Sequence, residues 1–149
     1  MTGDAHGLDA GASPPGRVSI GRLIVDNADV GIVTLDRELR YRTWNPFMEE
    51  LLGKPGAERI GRTPEEMWGP DAMPFPGYMD DLRRALAGER VLLHEANPHP
   101  QPDGTVRYGH VSAGPLRDCH GDVIGVLILV QDVTIRKLAQ LTLARRDQI

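Results

Sequence analysis

Cysteine, basic charge and long apolar runs are all scarce in this chain of 149 residues. The single cysteine, Cys119, rules out an internal disulfide and is typical of a reducing compartment. A formal net charge of −4 offers none of the basic excess that nucleic-acid binding requires. No apolar run approaches the length of a membrane span, and the first residues lack the basic start and apolar core of a secretion signal. We therefore expect a cytoplasmic domain without a membrane span and without a nucleic-acid partner.

Local signals divide the chain into a tail and one folded domain. Residues 1–17 are rich in Gly, Ala, Ser, Pro and Asp without periodicity, which predicts a disordered tail. Apolar residues at 20, 23, 24 and 28 predict a short amphipathic helix over residues 18–28, suited to cover a sheet face. Two β-branched and aromatic runs, Val30 to Leu35 and Leu39 to Trp44, flank a polar turn and predict a hairpin.

Two short helices are expected after the hairpin, each with its own start signal. Asn45 is a cap and Pro46 a first-turn proline, and the helix that they open ends at Gly53. The second helix begins in Thr63-Pro64-Glu65-Glu66, which has the spacing of a capping box and brings in Met67 and Trp68.

The second half of the chain predicts one longer helix and three antiparallel strands. An apolar stripe along Tyr78 to Leu86 marks the helix. Arg90 to Glu95 reads as a strand, and prolines at 98, 100 and 102 predict a loop after it. The last two strands are Thr105 to Ala113 and Gly121 to Val130, joined by a turn that contains Cys119.

The final strand is apolar at every position from Val123 to Val130 except Gly125. A half-buried strand would alternate polar and apolar residues, because successive side chains point to opposite faces. We therefore expect both faces to be covered, one by the core and the other by a helix or a second chain. The chain then turns into a charged helix, so a change inside the domain would reach the tail.

Four local motifs occur in the order of a known family: Asn27 to Ile32, Trp44 to Gly53, Ile60 to Pro64, and a closing hairpin that ends in Asp132-Val133-Thr134. Over about residues 18–141 the chain resembles the PAS sensory domain. The resemblance implies an α+β fold, a five-stranded antiparallel sheet with short helices on one face. A capping helix would precede the sheet within a domain over residues 18–133, and a signalling helix would follow over residues 134–149.

The resemblance implies a non-catalytic sensory and dimerisation module of a two-component type signalling protein. Pocket or sheet changes would pass through the junction Asp132, Val133 and Thr134 to the last helix and to an output domain such as a histidine kinase. Thr134 is expected to cap that helix, with Asp132 adding a favourable charge at its positive end. A homodimer would form through the outer sheet face and the apolar residues of the cap helix, Ile20, Leu23 and Ile24.

The space between the sheet and the helices has two interpretations: plain core packing is the first, and a pocket for a small-molecule ligand is the alternative. The resemblance implies that the face of the strand from Val106 that carries Gly109, Val111 and Ala113 looks into this space, and these side chains are small. The candidate lining residues are Trp44, Met48, Leu52, Met67, Trp68, Tyr78, Leu82, Gly109, Val111 and Ala113.

No cofactor is required by the sequence, and the ligand is left unknown. The stretch that matches the flavin-reactive cysteine motif of light-sensing PAS domains, Gly61 to Glu66, has no cysteine, which excludes a covalent flavin adduct. Haem is disfavoured because the helix Tyr78 to Leu86 has no histidine to serve as axial ligand. His94 and His110 lie on adjacent strands and could face each other, but two histidines do not make a metal site. A non-covalent flavin or haem sensor stays open.

Motifs that would indicate an enzyme are missing. The sequence has no phosphate-binding glycine loop, no Ser-His-Asp spacing and no Cys/His metal motif. Its acidic pairs, such as Glu49-Glu50, are neighbours along helical segments and therefore point apart. The remote alternative is a cone-shaped α+β enzyme of the ketosteroid-isomerase kind with a buried acid as base, which would need a longer first helix.

Overall fold

A computed structural model describes residues 20, 23–24, 29–53 and 55–147, and within them five strands form one antiparallel sheet. The strands are β1 (Val30–Asp36), β2 (Tyr41–Trp44), β3 (Val91–Pro100), β4 (Val106–Arg117) and β5 (Val123–Asp132). The helices are α1 (Pro46–Leu52), α2 (Pro64–Trp68), α3 (Tyr78–Leu86) and α4 (Thr134–Asp147), with a 3-10 turn at Gly56–Glu58. The spatial order β2-β1-β5-β4-β3 places the last strand at the centre, and the predicted α+β fold is confirmed.

The helix starts follow the predicted caps. The Asn45 side-chain oxygen accepts from the Met48 N–H of α1 at 3.2 Å and from the Ile32 N–H of β1 at 3.0 Å. Its amide nitrogen donates to the Val30 carbonyl at 2.8 Å, so one buried side chain joins helix and strand. At α2 the Thr63 side chain and Glu66 complete the capping box.

Two strand boundaries differ from prediction. β3 does not end at Glu95 but continues through Pro98 and Pro100, which pair with Tyr108 and Val106. The prolines are tolerated because β3 is an edge strand whose outer N–H groups need no partner. β4 continues past Ala113 to residue 117, so the closing hairpin is longer than its sequence signal.

β5 is buried on one face only. Val126, Ile128 and Val130 point into the core with exposed fractions of 5% or less. On the outer face Leu127 and Leu129 are half-buried, so the prediction of two covered faces is met on the inner side alone. As the central strand, β5 is hydrogen-bonded along both edges, and its outer side chains Leu127 and Leu129 remain partly exposed.

The amino-terminal predictions fall largely outside the described residues. The tail over residues 1–17 lies wholly outside them, and of the predicted helix over 18–28 only Ile20, Leu23 and Ile24 are described as helical. All three are exposed. Among the helices that the structure describes, none has the length and apolarity of a membrane span.

Candidate functional site

A cavity of about 210 Å³ lies between the inner face of the sheet and the short helices. The sheet contributes the floor, while α1, α2 and the segment before α3 contribute the walls. Its surroundings are mostly hydrocarbon and aromatic, which suits a small ligand. The lining residues are Val33, Tyr41, Trp44, Met48, Leu52, Trp68, Pro74, Phe75, Tyr78, Asn97, His99, Val111, Ile128 and Val130.

Most of the residues proposed from the sequence meet at this cavity. Those that line it are Trp44, Met48, Leu52, Trp68, Tyr78 and Val111. Leu82 and Ala113 are instead packed fully into the core, and Met67 packs against that core from the side. At Gly109 a Cβ atom would lie 2.9 Å from Val130 Cγ1, so this glycine allows close packing and does not open space.

The remaining lining residues were missed for identifiable reasons. Asn97 and His99 lie on β3 beyond Glu95, where the prolines had suggested a loop. Pro74 and Phe75 belong to a proline-rich segment without periodicity, so the sequence pattern does not show which of its side chains face inward. The alternation along β5 could have identified Ile128 and Val130, because every second residue of a strand shares one face.

Two tyrosine hydroxyls form the polar centre of the cavity wall. The hydroxyl oxygens of Tyr41 and Tyr78 lie 2.9 Å apart, and the indole N–H of Trp68 donates to the Tyr41 oxygen at 3.3 Å. Burial raises the pKa of Tyr41, and it raises the pKa of Tyr78 well above its ordinary value. Both phenols are therefore protonated at neutral pH, and each carries a hydroxyl hydrogen.

A buried arginine supports the two tryptophans of the wall. Arg59 is 3% exposed, and its guanidinium carbon lies 4.8 Å from the ring centre of Trp44 and 5.7 Å from that of Trp68. Its Nε atom has no hydrogen-bond partner among the described residues, and Nη1 reaches the Pro55 carbonyl only at 3.5 Å. Cation–π attraction to the two rings is thus its main compensation for burial, and it holds both rings in place.

A histidine and an asparagine of β3 supply further polar atoms to the cavity. His99 Nε2 and Asn97 Nδ2 lie 3.2 Å apart. Burial lowers the pKa of His99, and the nearby charge of Arg107 lowers it further. With the imidazole neutral, Nε2 accepts from the asparagine amide.

The two histidines considered for a metal lie on opposite faces of the sheet, so the possibility that they face each other is not realised. His94 pairs with Val111 and turns inward, where its ring centre lies 5.7 Å from that of Phe75. His110 neighbours Val111 on β4 and so points to the outer face. The cause is a pair of register shifts around His94. The described residues hold no group of three His, Cys, Asp or Glu placed to bind a metal, and Cys119 is exposed in its turn.

The junction at the end of β5 is a compact hydrogen-bond network. Asp132 Oδ1 accepts from the Thr134 N–H at 2.9 Å and from its hydroxyl at 2.5 Å. The Thr134 hydroxyl oxygen accepts from the Tyr108 N–H at 2.9 Å, and the Val133 N–H donates to the Tyr108 carbonyl at 2.8 Å. The prediction that Thr134 caps α4 is therefore wrong: Asp132 accepts from the first helical N–H, and Thr134 binds the start of α4 to β4.

Arg107 joins this junction to a helix that lines the cavity. Its Nη2 lies 2.9 Å from Asp132 Oδ2, and its Nη1 lies 3.5 Å from Glu50 Oε1 on α1. The guanidinium carbon also lies 5.3 Å from the ring centre of Phe47. Partial burial acts to raise the pKa of Asp132, but hydrogen bonds from Thr134 and Arg107 outweigh it and lower that pKa. Helix α1, which carries Glu50, also contributes Met48 to the cavity wall.

Comparison with protein families finds one model that spans most of the chain. The model is described as the PAS fold, and it matches residues 25–138. The matched range contains all five strands and the whole lining of the cavity, and it ends inside α4.

Two curated relatives are histidine kinases. The signal transduction histidine-protein kinase AtoS of Escherichia coli (strain K12) is 28% identical over 127 residues, which are 85% of this chain and 20% of that protein. The methanogenesis regulatory histidine kinase FilI of Methanothrix harundinacea (strain 6Ac) is 29% identical over 128 residues, 86% of this chain and 14% of that protein. The chain thus spans a fifth or less of their length.

The fold is also similar to that of a solved ligand complex. The structure of VqmA bound to DPO superposes with a TM-score of 0.55 at 24% identity, over 74% of this chain and 55% of that one. At this identity the likeness concerns the fold.

Proposed function

The chain belongs to the PAS fold family, and we propose that it serves as a non-catalytic sensory and dimerisation module of a signal-transduction protein. The two curated relatives are histidine kinases of which this chain matches a short segment. That pattern supports an output domain of the same kind, such as a histidine kinase. The binding of DPO by VqmA supports ligand recognition by a protein of this fold.

The single observation that carries the proposal is the path from the cavity to α4. Met48 and Leu52 line the cavity from α1, and Glu50 on the same helix pairs with Arg107. Arg107 in turn pairs with Asp132, which accepts from the first N–H of α4. A ligand that moves α1 would move Glu50, and it would thereby change the ion pairs that Arg107 forms with Glu50 and with Asp132.

The two ion pairs of Arg107 differ in strength, so without a ligand Arg107 is held mainly by Asp132. The Asp132 side chain is 29% exposed and accepts two hydrogen bonds from the guanidinium, while the Glu50 side chain is 74% exposed. An exposed pair contributes about 0.2–1 kcal/mol, so Glu50 is the weaker partner. The arrangement with the Arg107–Glu50 pair and the arrangement without it therefore differ by a small free energy. A ligand of modest affinity can shift the protein from one to the other.

Xenon in the cavity tests this coupling without knowledge of the natural ligand. Xenon enters dry apolar cavities, and its position is reported by the backbone amide resonances of the lining residues. We expect xenon pressure to shift resonances at Val111 and Ile128, and also at Thr134 and Lys137 in the first turn of α4. In the variant Asp132→Asn the cavity resonances should still shift, while the α4 resonances should respond much less. A response confined to the cavity walls in the unmodified protein would remove the basis of the proposal.

The dimerisation part of the proposal concerns the outer sheet face and the cap helix. Ile20 and Ile24 are 73% and 63% exposed, and Leu127 and Leu129 are half-buried on the outer face of β5. α4 adds further exposed apolar residues, among them Ile135 at 87%. A second copy that covered these surfaces would bury apolar area that water now contacts.

A further inference from the structure

One hydroxyl hydrogen of the tyrosine pair in the cavity has no hydrogen-bond acceptor within the described part of the chain. Tyr41 and Tyr78 carry two O–H groups, and their single mutual hydrogen bond consumes one hydrogen whichever of them donates. The Trp68 N–H donates to Tyr41 and so brings another hydrogen rather than an acceptor. Neither hydroxyl has a further partner among the described residues. One O–H donor therefore remains unpaired.

This unpaired donor is buried in the wall of the cavity. Tyr41 is 1% exposed and Tyr78 is 5% exposed, and both line the cavity. The other lining residues are hydrocarbon or aromatic, apart from Asn97 and His99, which bond to each other, and the two tryptophans Trp44 and Trp68. The Trp44 indole N–H is a second buried donor that has no partner among the described residues. A buried polar group without a partner is rare in a native protein, and in a cavity it is a place for a ligand atom.

The charges around the cavity restrict the ligand further. Among the described residues, no carboxylate lines the cavity, and the cation Arg59 lies behind the Trp44 and Trp68 rings, where it would repel a positively charged ligand. An anion would need several hydrogen bonds to replace its water, and Arg59 itself does not line the cavity. One free phenol O–H and the unpartnered Trp44 indole N–H are too few donors to meet that need, so the cavity suits an uncharged molecule.

We propose that the cavity binds a small, uncharged, mostly apolar molecule whose carbonyl or aromatic nitrogen accepts the free O–H of the Tyr41–Tyr78 pair. The inference rests on the proposed sensory function and specifies its ligand class. The neutral state of both phenols, which burial maintains, keeps the donor available at physiological pH.

A matched pair of probes tests the acceptor. Acetophenone and α-methylstyrene have nearly the same shape, but the first has a carbonyl oxygen where the second has a methylene group. Because the probes differ in their own hydration, the quantity to compare between variants is the ratio of their dissociation constants, measured by titration with backbone NMR. The change in this ratio from one variant to another does not depend on the hydration of the free probes.

The variants follow from the hydrogen count. Either single change, Tyr41→Phe or Tyr78→Phe, still leaves one hydroxyl hydrogen free, and removal of Tyr41 also frees the Trp68 N–H. The control is therefore Trp68→Phe, and the test variant is Trp68→Phe/Tyr41→Phe/Tyr78→Phe. We expect the affinity ratio to turn against acetophenone by roughly tenfold in the test variant relative to the control, and Trp68→Phe/Tyr78→Phe to behave like the control.

An infrared measurement keeps the test independent of folding in the triple variant. The C=O stretch of acetophenone bound to the unmodified protein should lie below its frequency in cyclohexane, because a phenol O–H weakens the carbonyl bond. A bound band at the cyclohexane frequency, or an affinity ratio that is the same in control and test variant, overturns the proposal. Tighter binding of benzoate or of 1-phenylethylammonium than of acetophenone would overturn the uncharged class.

The outcomes also separate this inference from the proposed function. If neither neutral probe binds at millimolar concentration, the ligand class is wrong, whereas the xenon response of α4 is measured separately and still decides the coupling. If the probes discriminate as expected but α4 does not respond to xenon, the ligand class stands and the sensory coupling fails.

Discussion

Single side chains in this protein connect elements that the backbone leaves separate. Asn45 caps α1 and at the same time pairs with β1, and Arg107 bridges α1 to the start of α4. Arg59 supports two aromatic rings of the cavity from behind. Each of these polar groups is positioned by partners from distant parts of the chain, so each is a sensitive point for substitution.

Replacement of Asn45 by alanine should cost much stability. The change removes a helix cap and two bonds to β1 from a residue that is 3% exposed, and it leaves buried backbone groups unpaired. We expect a loss of about 2–4 kcal/mol in the free energy of unfolding, measured by urea denaturation. The more exposed cap at Thr63 is the matched control, and Thr63→Ala should cost about 1 kcal/mol. Equal losses for the two variants would contradict this account of Asn45.

The acid sensitivity of the fold should depend in part on Asp132. Its pKa is lowered in the folded state, so its contribution to stability is complete above the unfolded pKa and is lost as the pH falls through the folded pKa. Urea unfolding of the unmodified protein and of Asp132→Asn, followed from pH 7 to pH 2, measures this contribution. We expect the difference in stability to be largest at neutral pH and to shrink at the acidic end. A difference that is constant with pH would refute the role assigned to this carboxylate.

Among the elements, β5 and β3 show how position in the sheet governs what a sequence tolerates. β5 is central and pairs with β1 and β4, so its backbone is closely surrounded. β3 is an edge strand and accommodates two prolines. Proline is therefore accepted in the edge strand β3 and excluded from the central strand β5.

Two glycines on neighbouring strands should respond very differently to alanine. A Cβ atom at Gly125 of β5 would lie 2.0 Å from the Leu35 carbonyl oxygen of β1, a backbone atom that cannot move without breaking the strand pair. At Gly114 of β4 the nearest atom is the flexible Arg90 Cγ at 3.5 Å. We expect Gly125→Ala to cost about 3 kcal/mol or to abolish folding, and Gly114→Ala to change stability by less than about 1 kcal/mol. Thermal unfolding by circular dichroism would show the contrast, and similar melting temperatures would contradict it.

At the scale of the whole molecule, apolar surface remains on the outer sheet face, the cap helix and α4. The outer sheet face is opposite the cavity, because the cavity floor lies on the inner face of the same sheet. A sheet with a ligand on one side and a second copy on the other would link occupancy to dimer geometry. In this arrangement the proposed dimer would transmit ligand binding and would not only stabilise the fold.

Sedimentation velocity tests the dimer. We expect the unmodified chain to be dimeric at high micromolar concentration and Ile24→Glu to shift it toward monomer, because a buried charge in an apolar interface is costly. Ile60, which is 42% exposed and lies in the turn before α2, provides the control Ile60→Glu, which should remain dimeric. A monomer in the unmodified protein, or equal effects of both variants, would rule out this interface.

The sequence by itself determined the order of the elements and most of their limits. Caps at Asn45 and Thr63, the stripe from Tyr78 to Leu86 and the apolar run before Asp132 are local signals, and each was found where it was predicted. Local signals suffice here because caps and periodicity act within a few residues. The family resemblance, which rests on the same local motifs in order, is confirmed.

Only the tertiary structure decided which side chains meet. The register shifts of β3 turned His94 inward and brought Asn97 and His99 to the cavity, although the prolines had suggested a loop. The pairing of Tyr41 with Tyr78 and the bridge formed by Arg107 join residues far apart in sequence. Such contacts depend on strand register and on packing across the sheet, which no local pattern encodes, so the polar centre of the cavity could be found only in three dimensions.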